Sequence, residues 1–521
     1  MAKNMIKNKF FLLPIDRISL AVILALVVVI IIKILQGDIA VVEVSEFNWQ
    51  HKYYQSQDVK IKEQEAVKLG ADYKSFSLSF TRPMDTKSVE EKLTIDPPLA
   101  GKFSWAGSQM FYTLLTPAPY GTEYKIELKG AKDRFAAKNN EDRTIQPFST
   151  VFKTRDRVIL YIGAQEEDKG RLVLYNLTQD KKEILTPADL SVDDFEAFPD
   201  GDKLLFSAHS SKTQDLLSAK LYTVTTGIKA TNSNQAQKSK KIELVLGNKN
   251  YQNLKFDLSP DGTKIVIQRA SKVDTKDITS DFGLWFMSVD EQKSFSEDKL
   301  QKIKTQPGGD FIITPDSEAV AIAQGQGTAI VPLKADGSEP LDYFPNFGIV
   351  KAFSKDGSKA GMVKFNDDYT RDLFLVTTEG EQKQLLKTTG SIIKCEFDSA
   401  SPTLYCLLSQ LLPGEIYQEQ PYLVAIDLKT AQQKPLVMFP PEQRNLEMSL
   451  SNDGLGLLFD QTTPDESDIS ENKNSVKTAQ GDQVSTSSLW LMPILPILET
   501  EEVKVQPEKL PLIGFHPLWL P

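Results

Sequence analysis

The chain has 521 residues, with 60 Lys+Arg against 70 Asp+Glu, giving a net charge of −10. That acidic balance excludes the basic footprint that duplex recognition requires, so no nucleic-acid partner is expected. Hydrophobic residues at 40% and charged ones at 25% exclude wholesale disorder, and only 3 His and 2 Cys exclude a zinc finger, a Cys-rich scaffold or a multi-His metal centre.

Ile18 to Ile32 reads ISLAVILALVVVIII, fifteen residues whose only polar member is Ser19, and Lys33-Ile34-Leu35 extends the run to eighteen. That is close to one bilayer crossing, with Lys33 at the end where its ammonium can snorkel to the headgroups. Lys3, Lys7, Lys9 and Arg17 precede the run, whereas Asp38, Glu43 and Glu46 follow it. The bias keeps residues 1–17 in the cytoplasm and places a transmembrane helix at 18–36. Everything beyond is expected in the periplasm or an equivalent compartment. A cleaved signal peptide is the competing reading, disfavoured because no small-x-small pattern follows the run.

Residues 37–69 are polar and charged and read as a stalk or linker, with KIKEQEAVKLG at 60–70 a candidate short helix. From Phe76 the pattern alternates: FSLSF at 76–80, KLTI at 92–95, KFSW at 102–105, MFYTL at 110–114, YKIEL at 124–128 and FSTVF at 148–152. Period-two alternation broken by Pro, Gly and Asp predicts short antiparallel strands in a sandwich spanning 70–155. Phe80-Thr-Arg-Pro-Met-Asp85, Val89, Ile95-Asp-Pro-Pro98, Gly101, Trp105 and Pro119-Tyr-Gly-Thr-Glu-Tyr124 resemble the bacterial Ig-like domain of S-layer and other envelope proteins. The resemblance implies a spacer or adhesion module. Without a Cys pair its core depends on apolar burial, with Trp105 and Tyr124 expected at the centre.

Past Arg155 a longer repeat begins, marked by Phe198-Pro-Asp-Gly-Asp202, Leu258-Ser-Pro-Asp-Gly262, Ile313-Thr-Pro-Asp-Ser317, Phe353-Ser-Lys-Asp-Gly357, Phe397-Asp-Ser-Ala-Ser401 and Leu450-Ser-Asn-Asp-Gly454. In such turns Asp accepts backbone N–H groups two residues on, and Gly supplies positive φ. Each turn joins two apolar strands, and a third strand recurs after them, as in LVLYNL at 172–177, LWFMSV at 284–289 and LVAIDL at 423–428. Four strands per repeat of forty-odd residues is the blade signature of a β-propeller, here 156–521. The first repeat lacks its innermost strand locally, and Leu512 to Pro521 reads like that strand. Pairing of this tail with 157–163 would close seven blades. Residues 463–488 carry almost no large apolar group and read as a disordered insert. The spacing and turns resemble the TolB-type propeller, a WD-repeat relative, which implies binding of an envelope component.

No nucleophile elbow, Walker loop, zincin helix or dinucleotide fingerprint occurs. His51 falls in the stalk, His209 reads as a solvated loop residue and His516 as a structural residue of the closing strand. No catalytic, cofactor-binding or metal-binding residue is expected, and no cofactor. Cys395 and Cys406 flank the turn at 399–402 symmetrically and so face each other on adjacent strands, as a disulfide or as two buried thiols. The expected fold is therefore all-β: one transmembrane helix, an Ig-like sandwich and a propeller. The expected function is a non-catalytic, membrane-anchored binding scaffold of the bacterial cell envelope, engaging an envelope protein or cell-wall polymer. The rival readings are an envelope glycan hydrolase or lyase with carboxylates at the propeller mouth, and an assembly factor for envelope proteins.

Overall fold

The computed structural model describes residues 14–35, 42–50, 54–55 and 75–521, the last span less 116–117, 136–142, 213–214, 229–237, 273–281, 290–294, 305–307, 335–338, 415–416, 444, 465–477, 479–483 and 495–504. Apart from helix α1 (Pro14–Leu35) and helix α2 (Thr86–Lys92), the described elements are almost all strands. Ten large side chains of α1 between Leu20 and Ile31 are exposed on all sides of the helix. Among the described residues no helix is long and apolar enough to cross a membrane.

Two four-stranded sheets form the N-terminal sandwich. One runs Val44–Gln50, Ser75–Phe80, Gln109–Leu114, Gly101–Ala106, and the other Tyr54–Gln55, Phe148–Lys153, Glu123–Leu128, Leu93–Asp96. The expected stalk is thus corrected: Val44–Gln50 and Tyr54–Gln55 are strands of the sandwich, and 56–69 lies outside the described residues. The strand was hidden because Ser45, Glu46 and Asn48 interrupt its apolar residues, while Phe47 is buried against Phe76, Phe148 and Phe152, with centroids at 5.9, 6.4 and 6.4 Å. Tyr124 occupies the core as expected, stacked on Phe152 at 5.2 Å. Trp105 does not: it is half-buried beside Phe80, and its Nε1 donates to Glu90 at 2.9 Å. An indole N–H needs a polar partner, and the rim supplies one. Helix α2 follows the Pro-Met-Asp turn, where Asp85 caps it by accepting the Ser88 N–H at 3.1 Å.

Seven four-stranded antiparallel sheets follow, numbered one to seven here, each ordered first strand to fourth as in a propeller. In sheets two to seven the four strands are consecutive. Sheet one is built from Val158–Gly163, Leu172–Asn176, Lys181–Ile184 and the C-terminal strand Gly514–Trp519, which pairs with Val158–Gly163 through Gly514↔Gly163 and Trp519↔Ile159. The turns work as their residues dictate. Asp261, Asp356 and Asp453 accept N–H groups two residues on at 2.9 to 3.1 Å, and Gly201, Gly262, Gly357 and Gly454 sit at φ of 68–72°. Ser317 takes the same left-handed conformation, φ 61°, without the glycine.

Apolar clusters fill the space between successive sheets. Leu205, Phe256 and Ile267 lie between sheets two and three, and Leu407, Leu423 and Phe459 between six and seven. Another joins Leu458 and Leu489 of sheet seven to Ile159 and Tyr161 of sheet one, with Trp519 between them. In sheet seven the strands run to Pro464 and restart at Val484, so the expected insert is shorter at both ends. Thr462↔Ser487 and Thr463↔Thr486 are held by the ladder and need no large side chain.

Candidate functional site

The first strand of each propeller sheet runs beside the propeller axis and ends at a turn. Four residues before the opening position of that turn stand Asp194, Lys255, Asp310, Lys394 and Glu447, in sheets two, three, four, six and seven. His516 holds the matching place in the C-terminal strand, and sheet five contributes Lys351. All seven meet in one axial cluster. His516 Nε2 lies 3.5 Å from Asp194 Oδ1, Lys255 pairs with Asp310, and Lys394 Nζ lies 3.3 Å from Glu447 and 3.5 Å from Glu396. The sequence places these residues far apart, and the ring brings them together.

Two residues nearer the turn comes a second level: Glu196, Asp257, Ile312, Ala352, Glu396, Ser449 and Leu518. Here polar side chains stitch four of the seven sheets to the next. Glu196 accepts the Leu258 N–H at 2.7 Å, Asp257 the Ile313 N–H at 2.6 Å, Glu396 the Leu450 N–H at 2.8 Å and Ser449 Oγ the Trp519 N–H at 3.0 Å. Ile312, Ala352 and Leu518 make no such bond: Ile312 packs on the apolar cluster between sheets four and five, Ala352 is buried in the one between five and six, and Leu518 packs on the one between one and two. Behind the first level, fully buried Asp460 accepts the N–H groups of Glu447 and His516, both at 2.8 Å.

The paired residues keep 20% to 41% of their side-chain surface open. Deep in the ring they are nonetheless poorly solvated, which disfavours charge. Burial, with the neighbouring Asp257 and Asp194, pushes Glu196 well up, and burial raises Asp194 and Glu396 despite His516 and Lys394. Asp257 is pushed up to about 6 and Asp460 up to about 7, both chiefly by burial. Where a lysine stands close the balance reverses. Burial opposes ionisation of Glu447 and Asp310, but Lys394 and Lys255 outweigh it and hold them below the usual carboxylate range. Burial depresses Lys351, opposed by Asp310 and aided by Lys255.

The two faces of the propeller differ. On the turn face the sandwich makes contact: the Tyr120 N–H donates to Asp453 at 3.1 Å, Arg157 pairs with Asp453 at 3.4 Å, and Arg155 donates to the carbonyls of Asp200 and Pro521. The second strands end on the opposite face, where Tyr369 is 90% and Tyr417 71% exposed. The axial first level lies towards this opposite face.

The three histidines separate. His51 lies outside the described residues. The expectation of a solvated His209 is corrected: it is buried on strand Lys203–Ser210, its Nδ1 2.7 Å from Asp193 Oδ1. The carboxylate compensates its polar ring. His516 faces the axis at φ 54°, its ring 4.9 Å from that of Phe195. Cys395 and Cys406 face each other and are disulfide-bonded, with Cα atoms 4.1 Å apart. The axial ring itself escaped sequence reasoning, although its signal is present: a charged residue four places before each of five turns.

No protein-family model matches the chain, and no curated protein does. Solved structures to which it is similar include TolB from Acinetobacter baumannii, 10% identical over 82% of this chain and 83% of that one, TM-score 0.35. Others are a periplasmic gluconolactonase of Pseudomonas aeruginosa, 11% identical over 70% and 99%, TM-score 0.42, and an oligogalacturonate lyase of Vibrio parahaemolyticus, 13% identical over 58% and 88%, TM-score 0.41. The expectation that the protein is not an enzyme is thereby corrected. That step went from propeller to non-catalytic, and solved propellers of this kind include a lyase and a gluconolactonase, so architecture does not support it.

Proposed function

We propose that the chain is a membrane-anchored, extracytoplasmic propeller of the bacterial cell envelope that binds an envelope protein at the open axial face. The observation that carries this reading is the charged axial ring, lying towards the face opposite the one that the described residues of the sandwich contact. The seven sheets are read as seven blades of a closed ring, the C-terminal strand completing sheet one and so removing two exposed edges. Support for the anchor comes from α1, whose ten large apolar side chains between Leu20 and Ile31 are exposed on all sides among the described residues, and from the basic residues before it. The disulfide fits an oxidising compartment. The sandwich, resembling the S-layer Ig-like module, serves as spacer and stands on the turn face.

A second reading has its own observation. Glu196 and Asp257, convergent carboxylates with raised pKa, are what a glycan hydrolase or lyase would need at a propeller mouth. Photo-crosslinking residues introduced at Tyr369 and Tyr417 in living cells separate the two. Capture of the same envelope protein from both positions is the expected result. Capture of glycan, with turnover in vitro that is lost in Glu196→Gln, would establish the second reading instead.

A further inference from the structure

The joint between the sandwich and the propeller is built from two short stretches. Residues 119–122 form a loop of the sandwich, and residues 154–157 link its strand Phe148–Lys153 to Val158–Gly163 of sheet one. Thr154 fixes the loop from within: its Oγ1 donates to the Pro119 carbonyl and accepts the Thr122 N–H, both at 2.8 Å. The Gly121 N–H donates to the Arg155 carbonyl, which ties loop and link together. Gly121 sits at φ 72°, and a Cβ there would stand 2.6 Å from Oγ1 of Thr178, just past strand Leu172–Asn176 of sheet one. The loop is therefore pressed on the propeller at a point that only glycine fits.

The groups offered at this joint reach the place where sheets seven and one come together. The Tyr120 N–H and Arg157 Nη2 meet the same atom, Asp453 Oδ2 in the turn of sheet seven, at 3.1 and 3.4 Å. Asp453 is buried, and its Oδ1 is engaged by the turn itself, accepting from Ser451 Oγ at 2.6 Å and the Leu455 N–H at 3.1 Å. Asp356 holds the turn of sheet five in the same way, but its Oδ2 accepts Ser358 Oγ of that turn at 2.8 Å. The second oxygen of sheet seven is instead given to the sandwich and the link. Arg155, also buried, donates to the carbonyls of Asp200 in the turn of sheet two and Pro521 in the tail. Trp519 and Leu520 of that tail wall a cavity of about 10 Å³ together with Tyr120, Arg157, Ser451 and Asp453. Sandwich, tail and sheet seven thus meet around a space of about one water.

The strand that this joint borders is the one most easily lost. Gly514–Trp519 stands at the end of sheet one and pairs with Val158–Gly163 on one side, in a register that slips between Phe515 and Leu518. On its other side single bonds hold it, from the His516 N–H to Asp460 and from the Trp519 N–H to Ser449. It comes from a distant part of the chain, so no short turn joins it to its neighbour as in the other sheets. Local opening starts at such edges. We infer that the sandwich acts as a strap as well as a spacer: by gripping Asp453 through Tyr120, and Pro521 through the Arg155 of the link, it keeps the C-terminal strand seated in sheet one.

Amide hydrogen exchange of the full chain in detergent micelles, read by mass spectrometry over residues 514–519, tests this. Asp453→Asn keeps one oxygen for the turn and sets an NH2 group against the two donors. Gly121→Ala pushes the loop off Thr178 from the sandwich side and leaves the propeller sequence intact. Asp356→Asn makes the same change as the first variant in the turn of sheet five, away from the joint. Both joint variants are expected to speed exchange of 514–519 at least about tenfold, the worth of one charge-assisted bond. Residues 75–80 of the sandwich should exchange as in the wild type, and Asp356→Asn should leave the tail unchanged. Wild-type exchange of the tail in either joint variant, or an equal acceleration in 75–80 or in Asp356→Asn, would overturn the strap.

Discussion

Asp460 shows how much one buried carboxylate can decide. It stands on the second strand of sheet seven yet accepts the N–H of Glu447 on the first strand and of His516 on the C-terminal strand. It therefore ties the last sheet to the tail that completes the first. Its pKa of about 7 in the folded chain compares with about 4 in an unfolded one. Folding takes up a proton between those values, so this group adds stability as the pH falls from about 7 towards 4 and withdraws it as the pH rises. Asp460→Asn cannot titrate and offers one acceptor in place of two. The difference in Tm, wild type minus variant, is expected to widen between about pH 8 and about pH 5. A difference that stays flat would show that the carboxylate remains ionised throughout.

At the same scale, burial of charge is tolerated only where geometry compensates it. Arg269 is 2% exposed, but its guanidinium lies 4.5 Å from the ring centroid of Tyr251 and donates to Asn253 and Glu297 at 3.1 and 2.9 Å. Asp193 meets His209 in the same way. Both pairs lie away from the axis and stiffen single sheets. Residues that look alike in composition therefore differ in role according to which face of the strand they leave.

Among the elements, the sixth sheet carries a covalent link between its first two strands. Cys395 and Cys406 enclose a short hairpin and are both buried, beside Leu404 and Val424. By loop-closure entropy, replacing both with Ala is expected to lower stability by about 2–3 kcal/mol, including the small volume lost. Denaturant unfolding of the double variant checks this, and a midpoint equal to that of wild type would mean that the native thiols are free. The pairing was legible because the two residues are symmetric about a turn of known kind. Strand Val44–Gln50 was not legible. Val44, Phe47 and Trp49 are interrupted by Ser45, Glu46, Asn48 and Gln50, and the pairing with Ser75–Phe80 slips between Val44 and Glu46, which breaks period two.

For the whole molecule, completion of sheet one rests on Gly514–Trp519. That strand fills the inner edge of sheet one, buries Phe515 and Trp519, and carries His516 to the axis. Removal of residues 512–521 would expose the edge of Val158–Gly163 and open the cluster around Leu458 and Tyr161. We expect loss of the main cooperative melting transition and aggregation rather than a small shift in Tm. Unchanged melting would refute closure by the tail. Membrane orientation is tested separately, by reporters at the C-terminus: activity only of the reporter that requires an extracytoplasmic site is expected, and cytoplasmic activity would reverse the proposed topology.

Local chemistry alone determined the turns, the strands between them and the repeat they make, because Asp and Gly act within two residues and alternation within six. It also determined that the tail should complete the first repeat, since a missing strand and a spare one can be matched by pattern. The ring at the axis was decided only by tertiary structure. Asp194 and His516, or Lys394 and Glu447, become partners when successive sheets turn about a common centre, and no spacing rule along the chain states that distance. The place of Lys351 was decided there too. The pairing in sheet five slips between Val350 and Ala352 and leaves Lys351 unpaired, and that slip depends on what the next sheet can pack against.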